Sequence, residues 1–297
     1  MIKEAELDQY LVYNKPIPYI ANSLIKRRQF LQKEIFELQS IKVLTQEQEE
    51  ILKQLEQEYN SQIIYIHPVK VDNYNNFFYS VNCLTIEKNK IPDPKIISMS
   101  YLDFLFHLIT NDENGNIYSA LLVELFKLCL NLESKDICYK RDENNKINLI
   151  LNHVVYDKND FDNIKKIILH QNIPEYDDTY IDPKVEAALK EAQEFMNRNK
   201  KKMASLEDQI VCVMLALHET DETKIHNLTI RKFSKILQRY DYKLHYEIYK
   251  QAECSGMASF KEEIHHWMSD LSNKNKYSDV IVDYGQFKKK IESAKTQ

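Results

Sequence analysis

Glycine is nearly absent. The 297 residues contain only Gly115, Gly256 and Gly285. Phosphate-cradling loops and the tight turns of dinucleotide-binding sheets need several glycines, for positive φ and for close backbone approach. Neither a GxGxxG nor a GxxxxGK[ST] string occurs, so nucleotide binding by those routes is excluded. Cysteine is scarce. Cys83, Cys129, Cys138, Cys212 and Cys254 are odd in number and no two stand in CxxC spacing, which argues for free thiols in a reducing compartment. No run of 18 apolar residues occurs, so no membrane span is expected. The opening MIKEAELDQY lacks a basic start followed by an apolar core, and no secretory signal is expected. A surplus of basic charge is also missing. Forty Lys and Arg against 45 Asp and Glu leave a net charge of −5, with no general pull toward nucleic acid or anionic lipid.

What remains is a polar chain with a normal globular balance, 43% hydrophobic and 29% charged. Its length suits about two domains. The most apolar and aromatic stretch is 62–109, and the rest is expected to pack on it. Residues 1–21 read as an extended arm, because Pro16 and Pro18 restrict the residues before them. Residues 22–60 read as a helical hairpin: Leu24, Leu31, Ile35 and Leu38 form one stripe, and Ile51, Leu52, Leu55 and Tyr59 the other. Thr45 with Gln48 makes a capping box between the arms. The hairpin reads either as a solvated pair or as a docking arm for another subunit.

Residues 63–71 predict a short edge strand interrupted by Pro68. Asp72 then caps an aromatic helix carrying Tyr74, Phe77, Phe78, Val81 and Leu84. Pro92 and Pro94 stiffen a loop over 88–95. Ser100 with Asp103 starts a second apolar helix, and NDENGN at 111–116 is a turn before a helix over 117–132. Residues 136–151 predict a β-hairpin, with 154–156 as a further strand. Asp160 is placed as the cap of a helix over 161–170, and the acidic stretch 172–182 reads as a linker. Beyond it, Pro183 opens a polar helix and Ser205 with Asp208 caps an apolar one. Helices follow over 229–240 and 243–254, the latter ending at Gly256. Ser259 with Glu262 opens another bearing Phe260, Ile264, Trp267 and Met268, and a short segment lies at 284–294. The fold class expected is mainly α with a small β element (α+β), with an N-terminal helical hairpin and a C-terminal antiparallel helical bundle. The boundaries expected are 1–61 for arm and hairpin, 62–172 for an α+β core domain and 183–297 for the C-terminal helical domain.

Three chemistries bear on the function. For metal ligation, HETDETKIH places His218 and His226 eight apart across a turn, too far for a helix-borne pair of the HExxH kind. Glu262 and His266 are four apart, which also describes an ordinary solvated helix pair. No histidine has a nucleophile in a recognisable string, so no catalytic, cofactor-binding or metal residues are assigned. For nucleic acid, residues 224–250 mix Lys, Arg, His and Tyr over helical segments, and RNKKK at 198–202 adds a basic cluster; flanking acidic residues argue against it. For protein binding, the chain carries 19 tyrosines, whose apolar body and polar edge suit interfaces. Pro92, Asp93 and Pro94 on the stiff loop, Tyr74 on the aromatic helix and Trp267 are the contact residues expected.

The segments KPIPY at 15–19, IIYIHPVKVDNYNNFF at 63–78, NKIPDPKIISMSYLDFL at 89–105, RYDYKLHYEIYKQAECSGM at 239–257 and SFKEEIHHWM at 259–268 resemble tail and baseplate hub assembly, tail-chaperone-like proteins of tailed bacteriophages. The resemblance covers 15–20 and most of 62–290, and leaves 22–60 as an insertion. It implies a non-enzymatic role as chaperone or structural component, with other phage tail or baseplate proteins as partners and no cofactor. It places the protein in the host bacterial cytoplasm during assembly, and in the virion if it stays in the particle. A nucleic-acid-binding helical protein is the alternative, and a metal-dependent hydrolase the more distant one.

Overall fold

The computed structural model describes residues 4–41, 43–88, 91, 93–142, 146–174, 176, 185, 188–192, 195, 204–256, 259–260 and 263–269. The chain divides into two compact units, one of residues 1–174 with 226–233, the other of 175–225 with 234–297. It is mainly α with small antiparallel sheets, as its periodicities predict.

Unit 1 opens with α1 (Glu4–Tyr13) and β1 (Ile17–Ile20). The arm expected over 1–21 is therefore extended only in part. Glu, Ala, Leu and Gln favour helix before the prolines act, and each proline restricts only the residue before it. β1 pairs antiparallel with β2 (Ile63–Ile66), Ile17 opposite Ile66 and Ile20 opposite Ile63. Between them stand α2 (Ile25–Gln39) and α3 (Gln46–Ser61). Thr45 and Gln48 form the capping box, Gln48 Oε1 accepting from Thr45 N at 3.0 Å and Thr45 Oγ1 from Gln48 N at 3.3 Å. Arg27 grips Glu58 through two bonds of 2.9 and 3.1 Å. The Arg28 guanidinium lies 3.6 Å from the Tyr59 ring centroid and donates to the Tyr59 carbonyl.

The aromatic helix is α4 (Tyr74–Ser80), continued by a 3₁₀ turn over 81–84. Asp72 does not cap it; the residue lies inside a separate 3₁₀ turn, Val71–Asn73. α5 (Pro94–Ser98) and α6 (Tyr101–Asn111) follow, α6 capped by Ser100 with Asp103. α7 spans Gly115–Leu130. β3 (Ile137–Arg141), β4 (Ile147–Leu151) and β5 (Val154–Tyr156) form the expected antiparallel meander. Ile147, Leu149 and Leu151 all turn inward, as alternation requires. α8 (Lys158–Asn172) is capped by Asp157, not Asp160. Asp160 sits one turn in, at the N3 position of a capping box, where it closes the box on Asp157 N. Helices α4 and α6 each pack on α7, and α8 lies on the meander and on β2. Phe77, Phe104, Phe126, Phe161 and Tyr156 fill the core.

Residues 226–233 complete this unit. Val71 N donates to the Leu228 carbonyl and Ile230 N to the Val69 carbonyl, each at 2.9 Å, giving an antiparallel bridge between Lys70 and Thr229. Thr229 Oγ1 donates to Asn14 Oδ1 at 3.0 Å.

In unit 2, α9 (Leu206–Leu217) carries the Ser205–Asp208 capping box and ends at His218 in left-handed geometry, φ 52°. α10 spans Glu222–His226. α11 is one helix of 25 residues, Ile230–Cys254, where two were expected; its first four residues are counted in unit 1 and the rest in unit 2. Asp241 and Tyr242 do not break a helix, and the side chain of Gln238 reaches one turn on across the supposed junction, its Nε2 donating to Tyr242 OH at 3.4 Å. The helix expected from Ser259 is not formed over 263–266. That segment is instead tied to α11 by Arg239, whose guanidinium donates to the carbonyls of Trp267 at 2.7 Å and Ser269 at 2.9 Å. Of the linker expected over 172–182, Asn172 still belongs to α8; residues 175 and 177–182, with Pro183, RNKKK, Glu262 and the segment 284–294, lie outside the described residues.

Candidate functional site

The second half of α11 presents a tyrosine row. Tyr242, Tyr246 and Tyr249 recur at i, i+4 and i+7 and so share one face. The returning segment brings Phe260, Glu263 and Ile264 against this row. Together they enclose a groove of about 290 Å³, large enough for one side chain. Phe260 lies 5.4 Å from Tyr249, ring centroid to centroid, and His266 stands edge-on to Tyr246 at 5.0 Å. His245 and His265 line the rim.

The charges around the groove are unevenly satisfied. Arg239 is committed to two carbonyls, as described above. Lys250 pairs with Glu253 at 2.8 Å and Lys243 with Glu247 at 3.8 Å. Glu263 is exposed and has no ion-pair partner among the described residues. Aromatic faces and one free carboxylate thus meet at a single concavity. Among the described residues no group of three or more His, Cys, Asp or Glu is placed to hold a metal ion. The HETDETKIH stretch is divided: His218 ends α9, Glu219 is bound by Lys224 at 2.7 Å, and His226 belongs to unit 1.

The residues singled out from the sequence lie in different places. Tyr74 is the first residue of α4, half-buried, its ring 4.5 Å from Phe78, and burial pushes its phenol up from the ordinary value. Asp93 is spent as the N-cap of α5, its Oδ1 accepting from Lys95 N at 2.8 Å. Pro94 occupies the first position of that helix instead of a loop, and Pro92 lies outside the described residues. Tyr74, Asp93 and Pro94 belong to unit 1 and Trp267 to unit 2. Trp267 is partly buried and tilts against His266 at 5.7 Å. The groove itself escaped sequence reading, although the spacing of Tyr242, Tyr246 and Tyr249 signals a stripe. Phe260 and Glu263 joined it only because their segment folds back.

Among the described residues of unit 1, Lys165 is a perturbed amine. Lys165 Nζ lies 3.1 Å from the centroid of the Tyr101 ring. Burial lowers its pKa from 10.5 to about 8, against the opposing pull of Asp162. Tyr101 donates to the Cys83 carbonyl at 3.0 Å and accepts from Ile86 N at 3.1 Å. Burial pushes the Cys83 thiol up to about 12, so it stays protonated and unreactive. Because the folded pKa of Lys165 lies below the unfolded one, the unfolded chain holds more protons between pH 8 and 10.5, and this group adds stability as pH rises through that window. At pH 7 it is charged in both states, and Asp162 and the Tyr101 ring offset its burial only in part. Lys165→Met is therefore expected to stabilise unit 1 at pH 7 by about 2 kcal/mol, after discounting for solvent contact. The gap should narrow by pH 10. Thermal unfolding at both pH values checks this; a variant less stable at pH 7 contradicts it.

Residues 197–272 match the family model described as the YomV second domain, a phage-associated domain family. The match spans α9, α10, α11 and the groove. No curated protein and no solved structure matches the chain.

Proposed function

We propose that the protein is a non-enzymatic protein–protein interaction factor in bacteriophage morphogenesis, serving tail or baseplate hub assembly as a chaperone or as a structural component. The observation that carries this reading is the apolar surface of unit 2. Val211 and Leu215 on α9 are 49% and 63% exposed, and Leu244 and Ile248 on α11 are 41% and 58% exposed. Each pair stands at i,i+4 and makes a row on one helix face. Scattered exposed apolar residues are ordinary, whereas rows mark contact surfaces. The phage-associated match over these same residues supports the viral setting. Apolar and tyrosine contacts supply the binding energy, and the Lys–Glu pairs at the rim set register. The place of action in this reading is the host bacterial cytoplasm, and the virion if the protein remains in the particle.

The test is co-expression of the full chain with the tail tube, tape-measure and baseplate proteins of the same genome, followed by size-exclusion chromatography. A stoichiometric complex with one of them is expected. Leu215→Asp with Ile248→Asp should weaken it about a hundredfold or more, since buried apolar anchors carry most interface energy. Independent elution of every pair rejects the assembly role.

A further inference from the structure

We infer that the groove of unit 2 is a receptor for an arginine side chain on a partner protein. The inference deepens the binding role proposed above and rests on it. Three features select the ligand. The first is size: about 290 Å³ suits one long side chain. The second is the lining. Tyr242, Tyr246, Tyr249 and Phe260 line it with aromatic rings, whose quadrupoles attract a cation, with the planar guanidinium preferred because it stacks. α11 already shows this affinity internally, for the Arg239 guanidinium stands 5.9 Å from the Tyr242 ring centroid. The third is charge. Neighbouring Lys243, Lys250 and His245 each have an acidic partner, Glu247, Glu253 and Asp241 respectively. Glu263 is left as the open carboxylate at the edge, suited to a bidentate bond with a guanidinium fork. A purely apolar occupant would leave that carboxylate facing the bound chain without a counter-charge.

The experiment uses the full chain and three probes: N-acetyl-arginine methylamide, its citrulline counterpart of the same shape without charge, and the leucine counterpart. Trp267 is the sole tryptophan of the sequence and touches His266, which in turn touches Tyr246. Its emission, together with ¹⁹F spectra of fluorotyrosine-labelled protein, reports occupancy. The arginine probe is expected to saturate with a millimolar Kd, and the citrulline probe to bind about tenfold more weakly. Glu263→Gln, at an exposed position that leaves the fold intact, should weaken the arginine probe about fivefold to tenfold. Tyr246→Leu should remove most binding. Equal affinity for arginine and citrulline, tighter binding of leucine, or no saturable change with any probe overturns the inference. The assembly role has its own readout in the Leu215→Asp and Ile248→Asp complex measurements. Loss of arginine binding with intact complexes therefore sinks the groove assignment alone.

Discussion

Asp160→Ala is expected to lower the unfolding free energy of unit 1 by about 3 to 5 kcal/mol, a large share of what a domain of this size holds. Asp160 is 1% exposed and accepts three hydrogen bonds from three segments. Tyr19 OH donates to its Oδ1 at 2.8 Å, Asn22 N to the same oxygen at 3.0 Å, and Asp157 N to Oδ2 at 3.1 Å. Tyr19 belongs to β1, Asn22 to the turn after it, and Asp157 caps α8, so one carboxylate ties the first strand to a helix about 140 positions later. Alanine deletes the acceptor and leaves Tyr19, itself 5% exposed, with a buried proton to place. Asn163 does not help, because its amide donates to the same hydroxyl, at 3.2 Å. An orphaned buried donor costs about 1 to 3 kcal/mol, and charge-assisted bonds exceed neutral ones. Asp160→Asn keeps an acceptor oxygen and should cost about half as much. Tyr19→Phe should cost only about 1 to 2 kcal/mol, since two donors still serve the carboxylate. Burial first, and the nearby carboxylates second, hold the Tyr19 phenol far above its usual range, so it remains a donor across the working pH. Urea unfolding followed by circular dichroism, with hydrogen exchange of the α8 amides, measures these values. A loss under about 1 kcal/mol for Asp160→Ala would mean that the carboxylate is replaceable by water.

Gly115→Ala is expected to destabilise unit 1 by about 3 kcal/mol, although alanine is the better helix former. α7 begins at Gly115 immediately beside the last turn of α6. A Cβ there would run into the Ile109 carbonyl oxygen, and would lie 2.9 Å from its carbonyl carbon and 3.1 Å from the Leu108 oxygen. These are backbone atoms inside a helix and cannot rotate aside, so the two helices must separate. Gly256→Ala is the contrasting case. Nothing stands within 4 Å of its Cβ position, but its φ of +71° disfavours any side chain by about 1 to 2 kcal/mol. Thermal unfolding of both variants separates a cost of space from a cost of conformation. A Gly115→Ala protein as stable as the parent would show that the α6–α7 junction is loosely packed.

The capping residues Thr45, Ser100 and Ser205 are readable because a cap closes on a backbone N–H three residues on, at Thr45 and Ser205 as a full capping box. The alternation of Ile147, Leu149 and Leu151 was readable because a strand repeats every two. Asp160 misled, since the same carboxylate fits a cap and an N3 position, and only its distant donors distinguish them. Gly115 sits in a turn-rich string where glycine is unremarkable, and its necessity comes from the backbone of α6. Residues 241–242 contain no glycine or proline, and the helix runs through them.

The sequence by itself determined the elements: their caps, their buried faces, the mainly α class and the lack of a glycine-rich phosphate loop. Those properties follow from interactions spanning a few residues, which composition and spacing record directly. Tertiary structure alone decided that β1 pairs with β2 across a helical hairpin, and that residues 226–233 return to complete the first unit. It alone decided, too, that Glu263 and Phe260 come to rest on the α11 tyrosines. The physical reason is that such partners are chosen by whichever distant surface leaves the fewest apolar groups and donors unsatisfied, and that choice belongs to the whole chain.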